Sequence, residues 1–447
     1  MIFLSFSIEY TRLIITSIFF YMSLQQELQE RGFLYQFSNP EIFKKLEQWN
    51  VGFYCGFDPT ADSLHLGNYI GFMCAVQLML KGNTYYALIW WATGMIGDPG
   101  WKDAERSFLT EETLRHNEKC IGNQFTTILT GLEKTTGKKL NFKIVNNYDF
   151  YKWVSYLDFL REVGKYHTVN QMMNKDTVKK RIEDPDKSIS YTEFSYMLLQ
   201  WFDFYCLNKD EGVTLQVGGQ DQWGNLVTGI ELIKKKTEKD TYVFTWPLMV
   251  DSSGKKFGKS EGNALFLDRK KTSPYKIYQY FINTLDADVE RFLKILTILD
   301  VPDIQKIIHD HTQSPEARLG QKRLAYEVVK IIHNEDDAKL CEKISEFLFW
   351  EADKLETLKT LESNELEIFF AEIWGIEYSW QNLFELFVQS WLEQTNSTAR
   401  QTLTWGGMYI NEKKIEDGKY DFSWDFIDGK FLLLRKWKKN YKLVVKK

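Results

Sequence analysis

The chain has 447 residues, 44% of them hydrophobic and 26% charged, and its 56 basic and 61 acidic side chains give a net charge of −5. This composition excludes a disordered, collagen-like or mucin-like protein and predicts two or three globular domains. The five cysteines and six histidines are scattered without ligand spacing. We therefore expect a reducing, cytoplasmic setting with no disulfide scaffold and no bound metal.

The amino terminus carries a short apolar stretch at residues 13–22. It is too short to cross a bilayer, which takes about 20 apolar residues. It also lacks the basic start and small-residue cleavage site of a secretory signal. We expect residues 1–21 to be an over-extended beginning, with Met22 as the true start and no membrane association. An amphipathic helix is predicted directly after Met22.

Short apolar strands alternate with helical segments between Val51 and about residue 265. This alternation predicts an α/β domain with a parallel sheet. Helical segments follow, and the acidic residues 335–369 predict a solvated helical connector. The last part of the chain combines a helix with short apolar runs, as in a small α+β domain. The predicted domains are therefore 22–265, 266–370 and 383–447.

The first motif with chemical meaning is GFDPTADSLHLGN, residues 56–68. A strand is expected to end at Phe57 and a helix to begin near Leu66, so that His65, Gly67 and Asn68 lie at a helix N-terminus. The helix dipole and unpaired N–H groups attract phosphate there, and glycine allows a nucleotide to come close to the backbone. Taken alone, the motif is more often a capping histidine beside a turn glycine.

The second motif is KFGKS, residues 256–260, within the glycine-rich segment DSSGKKFGKSEGN. Two lysines three residues apart on a loop suit the negative charge that develops on a leaving pyrophosphate. A solvated turn is the alternative interpretation. The GKS triplet also looks like the end of a Walker A loop, but that motif requires glycine where Ser253 stands.

Together, the two motifs resemble the HIGH-type and KMSKS-type signatures of bacterial-type tyrosyl-tRNA synthetases, with Asn68 at the second histidine position. Four further segments follow the pattern of the same family: ATGMIGDP (92–99), TEFSYMLLQ (192–200), LQVGGQDQWGN (215–225) and KTSPYKIYQYFINT (271–284). The resemblance covers residues 22–447. It implies a Rossmann-like class I catalytic domain with a parallel sheet, a helical domain, and a small S4-like α+β RNA-binding domain.

The resemblance also implies an activity, which is ATP-dependent ligation of L-tyrosine to tRNA(Tyr) by a homodimer. The tyrosine carboxylate is already ionised and would attack the α-phosphate of ATP, so the first step needs no general base. Catalysis would rest on positioning and charge stabilisation, with Mg²⁺ accompanying ATP and no tightly bound cofactor. The sibling tryptophanyl-tRNA synthetases share the fold. Ligation of tryptophan is disfavoured because the resemblance implies that Tyr54 and Asp203 recognise the phenol of tyrosine; we call them the phenol-reading pair.

The resemblance assigns seven residues to the amino acid: Tyr54, Asp98, Tyr196, Gln200, Asp203, Gln216 and Gln222. Tyr54 and Asp203 would recognise the phenol, and Asp98, Tyr196 and Gln200 would hold the ammonium group. Tyr196, Gln200 and Asp203 are spaced four and three residues apart, which places their side chains on one helix face. Phenylalanine would leave the phenol-reading groups unpaired in a buried site, which predicts selectivity for tyrosine.

The resemblance also assigns residues to ATP and to catalysis. The implied ATP-binding residues are Asp58, His65, Gly67, Gly219, Asp221, Lys256, Phe257, Gly258, Lys259 and Ser260. The implied catalytic residues are Thr60, His65, Asn68, Lys102, Arg106, Lys256 and Lys259. In this scheme Thr60 and His65 contact the ATP phosphates. The leaving pyrophosphate is stabilised by the lysines and the arginine of the list, Lys102, Arg106, Lys256 and Lys259.

The carboxyl-terminal residues 430–447 contain eight lysines or arginines and no acidic residue. Such a segment can neutralise RNA phosphates, while a solvated tail is the alternative. The residues expected to contact tRNA are Lys430, Arg435, Lys436, Lys438, Lys439 and Lys442.

The sequence departs from the family pattern at six tryptophans that stand where glycine or another small residue is usual: Trp90, Trp91, Trp101, Trp201, Trp391 and Trp437. Bulky side chains at tight positions are expected to overpack the structure. One explanation is that a reassigned codon makes these residues glycine in the cell. The other is a diverged enzyme that has repacked, in the extreme a catalytically dead RNA-binding protein. Trp223, within QDQWGN, matches the family.

Overall fold

The computed structural model describes most of the chain after residue 21. The described residues are 22–48, 50–95, 109–184, 188–252, 254, 257–260, 263–349, 356, 358, 361–372, 376–379, 381–427, 429–437 and 440–446. The predicted over-extension 1–21 lies outside this set. The chain divides into two compact units, Met1–Asn334 and Glu335–Lys447. No helix in the described part of the chain has the length and apolar character needed to cross a membrane.

A six-stranded sheet forms the centre of the first unit. Its strands β1 to β6 are Gln36–Phe37, Gly52–Phe57, Thr84–Ile89, Phe142–Asn146, Leu215–Gly219 and Tyr242–Trp246. Their order across the sheet is β1-β6-β5-β2-β3-β4, with β1 antiparallel to β6 and all other pairs parallel. The prediction of a parallel α/β sheet is confirmed.

The direction of strand addition reverses between β2 and β5. The chain passes from β2 outward to β3 and β4, and then returns to build β5 and β6 on the other side. The two central strands pair only at Phe53–Leu215 and Tyr54–Gln216, although both continue beyond these residues. In open α/β sheets, ligands bind at the carboxyl ends of the strands at such a switch point. The topology therefore places a ligand site just beyond Tyr54 and Gln216.

Eleven α-helices surround this sheet within the described residues. They are α1 to α11: Leu24–Glu30, Glu41–Gln48, Leu66–Leu80, Trp91–Gly94, Glu111–Thr136, Tyr148–Tyr151, Tyr156–Glu162, Val169–Met173, Asp176–Ile182, Tyr191–Glu211 and Trp223–Thr237. The helix predicted directly after Met22 is α1, and Ser23 and Gln26 form a capping box at its start. Short 3₁₀ helices cover Gly164–Tyr166, Gln220–Gln222 and Pro315–Ala317.

Four further helices follow in the described residues of the first unit. These are α12 to α15, Pro274–Ile282, Asp286–Leu296, Val301–Gln313 and Leu319–Ile332. The third of them buries Val301, Ile304 and His311, and all four agree with the predicted helical segments. Before α12, strands β7 (Lys259–Ser260) and β8 (Asn263–Ala264) form a short antiparallel hairpin.

The second unit combines helices with a five-stranded sheet. Its helices α16 to α19 are Glu335–Phe349, Ser363–Glu372, Leu383–Gln389 and Asn396–Thr404. Strands β9 to β13 are Ile376–Tyr378, Met408–Ile410, Lys413–Lys414, Phe431–Lys436 and Asn440–Lys446, in the order β11-β10-β12-β13-β9. The predicted connector begins with α16, which is not simply solvated, because it buries Ala338, Ile344 and Phe347.

Candidate functional site

A cavity of about 150 Å³ lies at the switch point of the central sheet. It is lined by residues from β2, β5 and the helices that follow them. Six predicted site residues line it together: Gly67, Asn68, Gln200, Gln216, Gly219 and Gln222. Segments far apart in the sequence therefore meet where the topology predicts a ligand site.

The predicted phenol-reading pair lies buried beside this cavity. Tyr54 on β2 is fully buried, and its hydroxyl has no hydrogen-bond partner among the described residues. Asp203 on α10 is also fully buried, and burial raises the pKa of its carboxyl to about 7. The same burial, together with the nearby Asp203 carboxylate, raises the pKa of the Tyr54 phenol. A buried acceptor and an unpaired buried hydroxyl suit a ligand that carries a phenol.

Two residues that the sequence analysis missed hold the Asp203 carboxylate in place. The Tyr151 hydroxyl lies 2.7 Å from Asp203 Oδ1, and Asn147 Nδ2 lies 3.2 Å from Oδ2. Both hydrogen bonds lower the pKa of Asp203 and so oppose the larger effect of burial. Asn147 and Tyr151 come just after the carboxyl end of β4. That position was the one sequence signal that could have pointed to them, because ligands bind at the carboxyl ends of parallel strands.

Helix α10 supplies one wall of the site. Ser190 and Glu193 form a capping box at its start, and Gly212 ends it in the left-handed conformation. Tyr196, Gln200 and Asp203 all lie on this helix and are buried, and their spacing of four and three places them on one face. The Gln200 amide has no partner within the described part of the chain for either its oxygen or its nitrogen. A buried amide of this kind is ready to bind a polar ligand group.

The first signature motif forms the predicted strand–turn–helix unit. β2 ends at Phe57, and α3 begins at Leu66 with His65 as its N-cap. Asn68 closes the first turn, because its Oδ1 accepts a hydrogen bond of 3.1 Å from the His65 backbone N–H. Gly67 is exposed beside it at the helix start. Gly67 and Asn68 at this helix start line the cavity.

The second signature motif docks on the first. Gly258 has φ +79°, and a Cβ there would lie 2.9 Å from the Gly67 backbone nitrogen and 2.9 Å from Leu66 Cβ. The Leu66 N–H donates to the Leu265 carbonyl at 2.9 Å, and the Leu265 N–H donates to the Gly258 carbonyl at 3.0 Å. Only glycine fits this close approach between the loop and the helix.

Phe257 anchors the docked loop, because its buried ring lies 5.2 Å from the ring of Phe292. The structure does not describe every residue of the predicted site. The side chains of Asp98, Lys102, Arg106, Lys256, Lys259 and Ser260 lie outside what it describes. Thr60 is exposed on the turn after β2, and Asp58 on the same turn is partly buried. Gly219 is the last residue of β5 and Asp221 follows it closely, since a Cβ on Gly219 would lie 2.5 Å from Asp221 Oδ1.

Comparisons with known proteins match both units of the chain. Residues 46–349 match the model of class I tRNA synthetases for tryptophan and tyrosine, and residues 365–444 match a tyrosine–tRNA ligase SYY-like C-terminal domain. A tyrosine–tRNA ligase from Streptococcus pneumoniae (strain Hungary19A-6) is 43% identical over 422 residues, which are 94% of this chain and 99% of the relative. The chain belongs to the tyrosine–tRNA ligase family.

Further tyrosine–tRNA ligases support the same placement. The ligase from Streptococcus pyogenes serotype M18 is 44% identical over 425 residues, 94% of this chain and 99% of that protein. Among solved structures, a C-terminally truncated mitochondrial tyrosyl-tRNA synthetase from Aspergillus nidulans has a TM-score of 0.68 and 30% identity. That match covers 74% of this chain and 95% of the Aspergillus chain. The predicted family and class I fold are confirmed.

The carboxyl-terminal domain of this tyrosine–tRNA ligase family member carries the predicted basic residues on β12, β13 and the turn before them. Arg435 pairs with Glu412 at 2.7 Å, and Lys436 pairs with Glu393 at 3.1 Å. Lys430 is exposed, whereas Lys442 is partly buried, which lowers the pKa of its amine. Lys438 and Lys439 lie outside the described residues. The two ion pairs reduce the positive charge that Arg435 and Lys436 offer to a phosphate.

Tyrosine binding is expected to depend on the protonation of Asp203. Its pKa of about 7 means that the carboxylate, the better acceptor for a phenol O–H, is lost as the pH falls through 7. We expect the dissociation constant for tyrosine to rise several-fold between pH 8 and pH 6 in calorimetric titrations. The Asp203→Asn variant, which cannot ionise, should show a flat profile. A sloping profile in that variant would assign the pH dependence to another group.

Proposed function

We propose that the chain activates L-tyrosine with ATP, giving tyrosyl-adenylate and pyrophosphate, and then transfers the tyrosyl group to the 3′-terminal adenosine of tRNA(Tyr). The observation that carries this proposal is the buried pair Tyr54 and Asp203 beside a cavity that the first signature motif lines, with the second motif docked on the first. A phenol is the ligand group that satisfies both members of the pair. The cytoplasm, where tRNA and ATP are available, is the proposed setting.

In the first step, a carboxylate oxygen of tyrosine bonds to the α-phosphorus of ATP while the bond to the bridging oxygen of pyrophosphate breaks. No proton moves, so the side chains act by holding and by stabilising charge. Tyr54 and Asp203 fix the phenol, and Gln200 with Tyr196 and Asp98 holds the ammonium group. Gln216 and Gln222 flank the amino acid.

The nucleotide would lie along the N-terminus of α3 and the docked loop. Thr60, His65 and the backbone at Gly67 would contact its phosphates, and Gly219 and Asp221 would contact the ribose. The leaving pyrophosphate would be stabilised by the side chains of Lys102, Arg106, Lys256 and Lys259. Mg²⁺ enters with ATP as part of the substrate and adds to the charge stabilisation.

In the second step, a ribose hydroxyl of the terminal adenosine bonds to the tyrosyl carbonyl carbon, and AMP leaves with the bonding electrons. The hydroxyl proton is released as the ester forms. The carboxyl-terminal domain would hold the tRNA through its basic residues while the acceptor end reaches the cavity.

Tyrosine-dependent exchange of pyrophosphate into ATP tests this function directly. We expect exchange with tyrosine, and exchange at background level with phenylalanine and tryptophan. Charging of tRNA(Tyr) from a related bacterium tests the second step. Tryptophan-dependent exchange would contradict the proposal, and so would silence with every amino acid in a folded protein whose tyrosine cavity is open.

We also propose that the protein acts as a homodimer through an apolar surface on the segment between β4 and β5. None of the seven residues of α7 is buried, although the helix carries Tyr156, Leu157 and Leu160. Trp153 beside it is 86% exposed and Leu157 is 75% exposed. The hydroxyls of Tyr156 and Tyr191 lie 3.0 Å apart, which extends the surface to the start of α10. Clustered exposed apolar side chains of this kind mark interfaces.

A charge on this surface is expected to separate the subunits. We expect Leu157→Asp to shift the protein from dimer to monomer in sedimentation velocity, because the new carboxylate would be buried at the interface without a partner. Leu285→Asp is the matched control, since Leu285 is an exposed leucine (52%) on another face. If the Leu157→Asp variant sediments as a dimer, as the unmodified protein is expected to, the interface lies on another surface.

Removing basic residues from the carboxyl-terminal domain is expected to weaken tRNA binding without affecting tyrosine activation. For Lys430→Ala with Lys442→Ala, the slope of log affinity against log salt concentration should fall by about 1–2. Filter binding over a salt series measures the slope. Pyrophosphate exchange, which needs no tRNA, is the internal control. An unchanged slope would show that Lys430 and Lys442 do not contact the tRNA phosphates.

A further inference from the structure

Four of the tryptophans occupy places that the backbone and the surrounding side chains do not fit. The first is Trp90, directly after β3. Its indole lies against the backbone of Gly56, where an added Cβ would be 2.1 Å from Trp90 Cε2. Trp90 is buried, and its Nε1–H has no acceptor among the described residues. The great majority of buried N–H groups in proteins are hydrogen-bonded, so an unpaired buried indole N–H at position 90 is unfavourable.

Trp90 also takes up room in the proposed substrate site. It packs in one cluster with Tyr54 and Phe204 and lines the same cavity as Gln200 and Gln216. The space that remains is about 150 Å³, below the roughly 300–1,000 Å³ of typical small-molecule sites. A residue without a side chain at position 90 would open this cavity between the phenol-reading pair and the nucleotide side.

Trp201 on α10 shows the same mismatch at a second buried position. Its side chain is 1% exposed, and its Nε1–H has no acceptor within the described residues. The ring lies 4.2 Å from that of His167, whose two nitrogens also have no partner in the described part of the chain. Burial, with Lys235 and Lys175 nearby, lowers the pKa of His167 to about 4. A smaller residue at 201 would leave room for water to pair with this imidazole.

Trp391 follows α18 at a position that favours glycine. Its φ is +60°, in the left-handed region. Its N–H donates to the Val388 carbonyl at 3.0 Å, and the Leu392 N–H donates to the Phe387 carbonyl at 3.1 Å. These two bonds define a Schellman motif, in which the left-handed residue is usually glycine. A bulky side chain is rare in this conformation.

Trp437 combines a left-handed backbone with a close approach. Its φ is +56° at the turn between β12 and β13. A Cβ added to Gly407 would lie 2.8 Å from its ring. Trp91 shares with Trp90 and Trp201 a buried Nε1–H that has no acceptor in the described part of the chain. Its ring nevertheless packs well, edge-on to Tyr148 at 4.5 Å and beneath the Arg115 guanidinium at 4.6 Å. Trp101 lies outside the described residues.

We infer that residues 90, 201, 391 and 437 are glycine in the protein as its host makes it, because the host reads their shared codon with a glycine-accepting tRNA. Glycine removes the unpaired buried N–H groups of Trp90 and Trp201, relieves the left-handed backbone of Trp391 and Trp437, and opens the cavity beside Tyr54. Trp223 has right-handed helical angles at the start of α11 and remains tryptophan.

The gene and the native protein give the first test. We expect one codon at positions 90, 201, 391 and 437 and a different one at 223, and peptides from the host whose masses contain glycine at the four positions. The same codon at all five positions, or native peptides with tryptophan at the four, would overturn the inference. Neither measurement depends on the proposed function.

Variants of the chain as written give the second test. Trp391→Gly is expected to raise the melting temperature by about 2–8 °C, from relief of the left-handed strain. The matched control is Trp424→Gly, because Trp424 is similarly exposed (91% against 89%) but has no positive φ. A rise of the same size in both variants would contradict the backbone argument.

Trp90→Gly, alone and with glycine at the other three positions, is expected to raise tyrosine-dependent pyrophosphate exchange by at least about 10²-fold. Trp424→Gly should leave exchange unchanged. This measurement rests on the proposed function, whereas the codons, the masses and the melting temperatures do not. The codons, masses and melting temperatures can support glycine at the four positions while the folded variant with all four glycines neither binds tyrosine nor exchanges pyrophosphate. In that case the proposed function fails, and the inference that these residues are glycine stands. Full activity of the chain as written would overturn the argument that Trp90 closes the site.

Discussion

With glycine at position 90, Asp203→Ala is expected to lower kcat/KM for tyrosine by roughly 10²-fold, the cost of losing a charged acceptor and leaving a buried donor unpaired. The value for phenylalanine should hardly change, because that substrate has no phenol to lose. Enzymes of this family are the standard measured case of such discrimination, about 10⁵ in favour of tyrosine. Exchange kinetics with both amino acids measure the ratio.

Two controls separate recognition from damage to the site. The Tyr151 hydroxyl also lies 2.8 Å from the Leu199 carbonyl, to which its single proton can be donated when Asp203 is replaced. Asp203→Asn keeps the shape of the side chain and removes only its charge, so it should show a smaller loss than Asp203→Ala. The KM for ATP should stay constant in both variants. An equal loss for tyrosine and phenylalanine would mean that Asp203 supports the fold rather than reading the phenol.

Gly258→Ala is expected to lower kcat for pyrophosphate exchange by about 10²-fold, because the added methyl group would push the lysine-bearing loop away from the start of α3. That methyl would meet the Gly67 nitrogen and Leu66 Cβ, each at 2.9 Å. Tyrosine affinity, measured by calorimetry, should be unchanged since the phenol site is separate.

Gly254→Ala is the matched control for this change. Gly254 also has a left-handed backbone, with φ +81°, but an added Cβ there meets nothing within 4 Å among the described residues. Both variants therefore carry the same kind of backbone strain, and only one disturbs the docking. Similar losses of kcat in the two variants would attribute the effect to strain in the loop and not to contact with the helix.

Much of the fold and half of the site follow from local patterns in the sequence. The end of β2 at Phe57, the start of α3 at Leu66 and the shared face of Tyr196, Gln200 and Asp203 depend on spacing within one segment. Strand Ile376–Tyr378 was missed, since it exists only through pairing with β13, far along the chain. The hydrogen bonds of Tyr151 and Asn147 to Asp203 were missed for the same reason, because they link residues more than 50 positions apart.

The contacts of Gly258 and Leu265 have a consequence for the entropy of substrate binding. The Leu265 N–H bonds to the Gly258 carbonyl, and each residue is also held against the start of α3. The segment between them is thus a loop that is already closed before ATP arrives. Closure entropy grows only with the logarithm of loop length, by about 0.6 kcal/mol for each doubling. ATP binding therefore carries little of the entropy of closing this loop, and an insertion between the anchors should be tolerated far better than a change at either one.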